Sequence, residues 1–269
     1  MARQKGSGQA RGGSDKAQDV RRALARSADP HRANVLQRYF KTAPGEYAAG
    51  DRFIGLTVPA TRRVVERFRD LAHSQVLILL RSPIHEERLA ALLIMGEIFI
   101  KAQAPERAKI YTHYLANTRY VNNWDLVDSS AHYIVGEYLA DKSKTPLARL
   151  AKSGLLWERR IAIVATAAFI QRGDFKPTLR LSVLLLKDQH DLIHKAVGWM
   201  LREVGKKDTR VLLAFLDRYA HRMPRTALRY SLERLTPAQK RRYMGQGRYM
   251  QQRRYMEHRR NMRQQNKRS

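Results

Sequence analysis

The sequence of 269 residues contains no cysteine. This excludes a disulfide framework and any zinc or iron–sulfur site with cysteine ligands. The first thirteen residues carry basic side chains and glycine without an apolar run, so no secretory signal is predicted. The longest apolar run, 89–100, is too short to cross a bilayer and includes Glu97. We therefore expect a soluble protein of the cytoplasm, associated with the nucleoid if the source is bacterial.

Motifs of several common enzyme classes are also missing. The sequence has no phosphate-binding Walker loop, no Gly-x-Gly-x-x-Gly after a strand, no His-Glu-x-x-His and no Gly-x-Ser-x-Gly. Its nine histidines are scattered without the spacing of metal ligands. We expect neither a metal nor another cofactor. An enzyme of this sequence would work with carboxylate, arginine and aromatic groups.

Acidic residues are few, with 24 Asp and Glu against 52 Lys and Arg, and the net charge is +28. A balance of this kind favours polyanionic partners such as DNA or RNA, although a solubilising surface is an alternative. About half of the excess lies in the two tails, 1–33 and 238–269. The central part is still basic, which a neutral enzyme with charged tails would not require.

Patterns typical of strands are rare, and the apolar residues of 34–237 follow a helical period. Helix starts are predicted near Pro59, at Asp208–Thr209 and at Pro224. Asn122 or Asn123 can cap a further helix.

Four segments of similar pattern open long apolar helices, and each follows a shorter helix. They begin at His85, Trp124, Trp157 and Leu192, which lie 39, 33 and 35 residues apart. This spacing is typical of HEAT-type helix pairs, which stack into a curved solenoid. We predict an all-α, HEAT-like solenoid over 15–237 with a concave basic groove, preceded by a disordered basic segment over 1–14.

The basic tail over 238–269 has a period of its own. Arg242-Tyr243-Met244 recurs at 248–250 and 254–256, six residues apart. Because six residues do not match the helical period of 3.6, no single apolar stripe forms, which disfavours a membrane-surface helix. We interpret the tail as a flexible basic arm whose arginines meet phosphates and whose tyrosines stack on bases. A docked terminal helix is the alternative.

Aligning the four segments brings Trp124, Asp128, Arg160 and Trp199 onto one helix face. In this alignment Arg160 corresponds to position 127 of the second segment and Trp199 to position 131. Together with 124 and 128, these positions have the i, i+3, i+4, i+7 spacing of one helix face. This convergence depends on the assumed register of the repeats. The alternatives are core packing for the tryptophans, and helix-end electrostatics or an ion pair for the aspartate. Trp157 is interpreted as structural.

Basic residues recur at one position of the repeat, at Arg88, Arg160 and Lys195. In a solenoid they would form a row that follows a phosphate backbone. Salt bridges with nearby glutamates explain the row equally well. Arg202 is a further predicted DNA contact.

Several of these segments resemble the AlkD-like DNA alkylation repair glycosylases, and the resemblance runs from Tyr39 to Leu235. The segments that carry it are Asn123–Asp128, Trp157–Ile163, His194–Glu203, Phe53–Leu56 and Val58-Pro59. One departure is Asn123, because some relatives have an aromatic residue there.

The resemblance implies a HEAT-like solenoid that cradles duplex DNA and hydrolyses the N-glycosidic bond of positively charged N3- or N7-alkylated purines. It implies that Trp124 and Trp199 flank the deoxyribose of the damaged nucleotide, that Asp128 is the catalytic carboxylate and that Arg160 holds the DNA backbone. Since no lysine nucleophile is evident at this site, we expect a monofunctional glycosylase of base excision repair. A monomer is expected.

Two readings without catalysis remain open at this point. The same scaffold could bind damaged or branched DNA through its basic groove. It could also hold an acidic protein or an RNA through its tails.

Overall fold

The computed structural model describes residues 16–245, and over this range the chain is built from helices. These residues contain no β-strand, and an isolated parallel bridge joins Arg52 to Ile84. The predicted all-α class is confirmed. No helix in the described range is long and apolar enough to cross a membrane. The segment predicted to be disordered, 1–14, lies outside the described residues.

The chain forms two compact units, one up to Lys101 and one from Ala102 onward. The boundary between the two units lies within 15–237, the range predicted as one HEAT-like domain. The helices of the first unit are α1 (Ala17–Ala25), α2 (Pro30–Tyr39), α3 (Val58–Val65), α4 (His73–Leu80) and α5 (His85–Lys101).

In the first unit a buried carboxylate holds the loop that enters α3. Glu86 accepts backbone N–H bonds from Ile54, Gly55 and Leu56 at 2.8–3.2 Å. Buried backbone donors need such partners. Gly55 has a φ of +89°, and a Cβ added there would lie 2.0 Å from the carbonyl oxygen of Asp29, so only glycine fits.

The second unit is a series of helix pairs. Its helices are α6 (Ala104–Ala116), α7 (Trp124–Asp128), α8 (Glu137–Leu139), α9 (Thr145–Leu150), α10 (Leu156–Val164), α11 (Ala167–Gln171), α12 (Lys176–Leu185), α13 (Asp191–Lys207), α14 (Thr209–Tyr219) and α15 (Arg225–Ser231). A π-helical turn, His132–Gly136, joins α7 to α8. Short 3₁₀ turns occur at Thr118–Tyr120 and Ala220–Arg222.

The repeat pattern read from the sequence corresponds to real helix starts. The four helices begin at His85, Trp124, Leu156 and Asp191, each within one residue of the predicted position. In the second unit, α10 packs against both α7 and α13, and α11 packs against the π-helical turn and α13. The segment of α10 and α11 therefore lies between the segment of α7 with its π-helical turn and α13.

Two glycines allow neighbouring helices of the second unit to approach closely. A Cβ added at Gly136 would lie 2.3 Å from the carbonyl oxygen of Ala165, and one added at Gly198 would lie 2.5 Å from that of Ala227. Both distances are far below van der Waals contact. These two positions therefore set the spacing of the π-helical turn and of α13 against the helices that follow them.

The first Arg-Tyr-Met repeat of the tail is docked on the second unit. Residues 237–245 are helical, and Tyr243 is fully buried. Its hydroxyl donates to Oδ1 of Asp217 in α14 at 2.7 Å, and Arg242 pairs with the same oxygen at 2.7 Å. The flexible arm predicted from 238 onward is therefore wrong for this repeat, because its tyrosine completes an apolar core. The other repeats lie outside the described residues.

Candidate functional site

Asp128 and Arg160 form a two-pronged ion pair between α7 and α10. Arg160 Nε donates to Oδ1 of Asp128 at 2.9 Å, and Nη2 donates to Oδ2 at 2.8 Å. The guanidinium is only 5% exposed, whereas the carboxylate keeps 19% of its side-chain surface accessible. Paired parallel hydrogen bonds fix both the position and the plane of a carboxylate. The Asp128 carboxylate is therefore held in a fixed orientation and remains partly accessible to solvent.

The third donor group of this guanidinium reaches a third helix. Arg160 Nη1 donates to the backbone carbonyl of Leu192, in the first turn of α13, at 2.6 Å. One side chain thus connects three successive repeats. The orientation of the Asp128 carboxylate depends on how α7, α10 and α13 stack.

Local sequence determines where α7 begins and how Asp128 leaves it. The side-chain oxygen of Asn123 accepts from the backbone N–H of Trp124 at 2.8 Å, so Asn123 is the helix cap. Asp128 is the last residue of α7, one turn after Trp124. Behind it, the hydroxyl of Ser130 donates to the carbonyl of Leu126 at 2.6 Å and bonds with the hydroxyl of Tyr114 at 2.9 Å. This buried network holds the end of the helix.

The π-helical turn begins four residues after Asp128, at His132. Single π-helical turns inside helices are frequent at functional sites, because the extra residue redirects the side chains that follow. The His132 and Tyr133 rings lie 3.8 Å apart, centroid to centroid, at 39°. Trp124, Asp128 and His132 are spaced by four residues, and His132 follows the end of α7 in the π-helical turn.

Burial has opposite effects on the two titratable groups of this segment. It raises the pKa of the Asp128 carboxyl, while the charge and hydrogen bonds of Arg160 act in the opposite direction. The nearby Asp125 also raises it. Burial lowers the pKa of His132, against the opposing charge of Glu137. The imidazole is therefore neutral at pH 7.

The two tryptophans of the predicted stripe are both half-buried in the second unit. The indole N–H of Trp199 donates to Oε1 of Glu203 at 3.2 Å, one turn further along α13. Trp124, Asp128, Arg160 and Trp199 thus lie on the three adjacent segments α7, α10 and α13. Of these four residues, Asp128 and Arg160 are joined directly, by the ion pair.

Comparison with known proteins identifies the family of the chain. The family model described as DNA alkylation repair enzyme matches residues 20–235. The chain belongs to this DNA alkylation repair enzyme family. The resemblance described above starts at Tyr39. The match of the family model starts earlier, at residue 20, and so includes most of α1 as well. The helical scaffold is therefore that of a DNA alkylation repair protein.

A solved structure shares the fold of this alkylation repair protein. It is described as a predicted DNA alkylation repair enzyme from Enterococcus faecalis, with a TM-score of 0.60 and 15% sequence identity. The alignment covers 78% of the present chain and 97% of the other. No curated protein matches.

The predicted DNA contacts of this family member lie in different surroundings. Arg88, in the first unit, is buried, and its Nη2 lies 2.7 Å from Oδ2 of the equally buried Asp51. It does not present a donor to a phosphate there. Lys195 is 38% exposed and pairs with Asp191 at 2.9 Å. Arg202 pairs with Glu233 and lies 3.2 Å from Glu203.

Two features of the site were not predicted from the sequence. The first is Arg160 as the partner of Asp128: an ion pair is an alternative for this aspartate in the sequence, but Arg160 is expected to contact the DNA backbone. The second is His132, which the spacing of four residues after Trp124 and Asp128 could have indicated. Trp157, expected to be structural, is half-buried at the start of α10.

Proposed function

We propose that this alkylation repair protein is a DNA glycosylase that hydrolyses the N-glycosidic bond of N3- or N7-alkylated purines. The observation that carries the proposal is the Asp128 carboxylate, which is fixed by the buried Arg160 and keeps 19% of its side-chain surface accessible. Two half-buried indoles accompany it: Trp124 begins the same helix as Asp128, and Trp199 lies on α13.

The charge of the lesion explains why a carboxylate is sufficient. Alkylation at N3 or N7 gives the purine a positive charge, so the base takes the electrons of the C1′–N bond and leaves as a neutral molecule. No general acid is needed. The sugar acquires oxocarbenium character, which an anion near C1′ stabilises, as in glycoside hydrolysis. Water then adds to C1′ and releases its proton to Asp128 or to solvent.

Each group at the site has a separate role in this proposal. Asp128 stabilises the cationic sugar and orients water. Trp124 and Trp199 present aromatic faces to the cationic nucleotide, each worth about 0.5–2 kcal/mol by cation–π attraction. Arg160 is a positioning residue that holds Asp128, and its predicted contact with the DNA backbone would be additional. Lys195 and Arg202 are the proposed phosphate contacts of the second unit.

A test of the substrate class compares lesions that differ in charge. Duplex DNA treated with a methylating agent should release free 3-methyladenine and 7-methylguanine when incubated with the protein. A duplex containing uracil should release little base, because uracil must leave as an anion and the site has no group assigned to protonate it. Released bases are measured by chromatography against DNA without protein. Tight DNA binding without any base release would instead support a non-catalytic damage binder.

The rate of release should depend on pH through Asp128. The ionised carboxylate is the active form, so the rate falls as pH drops through the pKa of Asp128. Because burial raises that pKa, the loss should begin at a higher pH than an exposed aspartate would give. Single-turnover rates, corrected for spontaneous depurination, measure the effect.

His132 provides the control for this pH profile, because it also titrates on the acidic side. The variant His132→Gln should retain the acidic fall in rate. Disappearance of the fall in that variant would assign it to His132 and contradict the role of Asp128.

A further inference from the structure

One face of α13 carries a polar cluster around the half-buried Trp199. Its members follow the i, i+3, i+4, i+7 spacing of a helix face and line the same cavity; they are Trp199, Arg202, Glu203 and Lys206. The cavity has a volume of about 520 Å³ and is also lined by the π-helical turn and α11. Because the indole borders this space, packing against neighbouring residues does not by itself fix its orientation.

Glu203 is the acceptor at the centre of this cluster. Its Oε1 accepts from the indole N–H of Trp199 at 3.2 Å and from Nε and Nη2 of Arg202 at 3.3 and 3.2 Å. Nζ of Lys206 donates to both carboxylate oxygens, at 2.9 and 2.8 Å. The Glu203 side chain is only 19% exposed. One carboxylate therefore holds three side chains of the same helix face.

The bond to Glu203 selects one of two orientations of the indole. The ring of a tryptophan has two broad orientations about its bond to Cβ, and they place the N–H on opposite sides. Of these, the orientation in the structure brings the N–H to Oε1 of Glu203. The carboxylate thus determines which face and which edge Trp199 presents to a neighbouring group.

The Arg202 guanidinium is held between an inner and an outer carboxylate. Its Nε and Nη2 point to Glu203, whereas Nη1 pairs with Glu233. The Glu233 side chain is 43% exposed, about twice as much as that of Glu203. Ion pairs at exposed positions contribute little to stability. Glu233 is therefore a partner that can be replaced, and Glu203 is the one that holds the cluster.

We propose that Glu203 is a positioning residue, which holds Trp199 in the orientation needed for base excision. The inference rests on the proposed glycosylase function and adds to it a residue that acts through the indole without touching the nucleotide. A carboxylate near phosphate-binding cations weakens the attraction for DNA. Loss of Glu203 should therefore slow excision and strengthen DNA binding. A residue that only stabilised the fold would not change these two quantities in opposite directions.

The first test measures excision and binding separately, with the full-length protein. Glu203→Ala should reduce the single-turnover release of 3-methyladenine about five-fold or more, within the range that a cation–π contact contributes. Its affinity for duplex DNA at low salt should rise about two-fold. Glu203→Gln should recover most of the rate, because the amide oxygen can still accept the indole N–H.

Glu233→Gln is the matched control for these variants. It also removes a carboxylate from Arg202, but Glu233 makes no hydrogen bond to Trp199 among the described residues. DNA affinity should rise as in Glu203→Ala, while the rate stays at the parent value. An equal loss of rate in both variants would assign the effect to charge and overturn the positioning role.

The second test follows the indole N–H signals by NMR, without DNA. The chain has three tryptophans, and Trp199→Phe identifies the signal of that residue. In Glu203→Ala this signal should move upfield and its proton should exchange faster with deuterium, because the hydrogen bond to the carboxylate is lost. The other two signals should stay in place, which shows that the variant is folded.

Two further results would overturn the proposal. They are an unchanged Trp199 signal in the folded Glu203→Ala variant, or a loss of rate accompanied by weaker DNA binding. The NMR result is independent of base excision. Release of methylated purines by a protein whose Trp199 signal ignores Glu203 would leave the glycosylase function intact and remove only the role of Glu203. A signal that responds in a protein without base release would instead contradict the glycosylase function.

Discussion

The variant Asp128→Asn is expected to lose nearly all release of alkylated purine while binding duplex DNA as tightly as the parent. The amide has a similar shape but no charge, so it cannot stabilise the oxocarbenium-like sugar. Loss of a single preorganised electrostatic group commonly reduces the rate by about 10²–10³-fold. The measurement is single-turnover release of 3-methyladenine under saturating protein, with DNA affinity determined separately.

The chain offers a close control in Asp125→Asn. Asp125 is buried on the same short helix, and its Oδ1 accepts from the backbone N–H of Leu126 at 2.9 Å. An asparagine oxygen can keep that bond, and we assign this residue no part in the chemistry. Asp125→Asn should therefore retain most of the rate. Equal rates for the parent and the Asp128 variant would refute the catalytic assignment.

Replacing Arg160 by alanine is expected to reduce both stability and rate. Removing one partner of a buried ion pair costs roughly 3 kcal/mol or more, because the other charge is left uncompensated. The hydrogen bond to Leu192 is lost as well. Without the guanidinium the pKa of Asp128 should rise further, so the acidic fall in rate should move to higher pH and activity should partly recover as pH increases.

This shift in the pH profile separates positioning from phosphate binding. If Arg160 mainly contacts the DNA backbone, its loss should weaken DNA affinity while the pH profile stays in place. Arg160→Lys is informative because it keeps a positive charge without the two-pronged geometry.

The neighbouring Arg159 provides a matched variant for Arg160. It lies next to Arg160 on α10, and it pairs with Asp188 at 2.6 Å. Arg159→Ala should therefore lower thermal stability without moving the pH profile. A shift of equal size in both variants would show that a loosened α10, rather than the Asp128 pair, is responsible.

Much of the fold follows from local patterns in the sequence. The starts of α7, α10 and α13 were predictable because each opens an apolar run after a break in the chain. The caps at Asn123 and Asp208 were also predictable, since Asn and Asp side chains accept bonds from the first free N–H groups of a helix.

Other features depend on packing between distant residues, which periodicity does not contain. Both Arg88 and Arg160 recur at one repeat position, yet each is buried against an aspartate from another part of the chain. A basic residue on a helix face can meet a phosphate or an internal carboxylate, and the sequence pattern is the same in both cases. The burial of Tyr243 was likewise hidden by a six-residue period that suggested an extended arm.

Arg160 was not predicted as the ion-pair partner of Asp128 for a related reason. The alignment of repeats correctly placed both residues on neighbouring helices, but it does not say whether their side chains point toward each other or toward a ligand. The two hydrogen bonds between these residues, which are 32 positions apart in the sequence, establish the pairing.

Because the Arg160 guanidinium on α10 bonds to residues of both α7 and α13, the geometry of the proposed site is a property of the stacked helices and not of any single helix. Heating should therefore abolish turnover before the bulk of the helices melt, as soon as neighbouring repeats separate by a fraction of an ångström. Enzymatic activity would then report on the contacts between repeats more sensitively than helix content does. Substitutions at Gly136 or Gly198, remote from the carboxylate, could abolish activity in a protein whose helix content is unchanged.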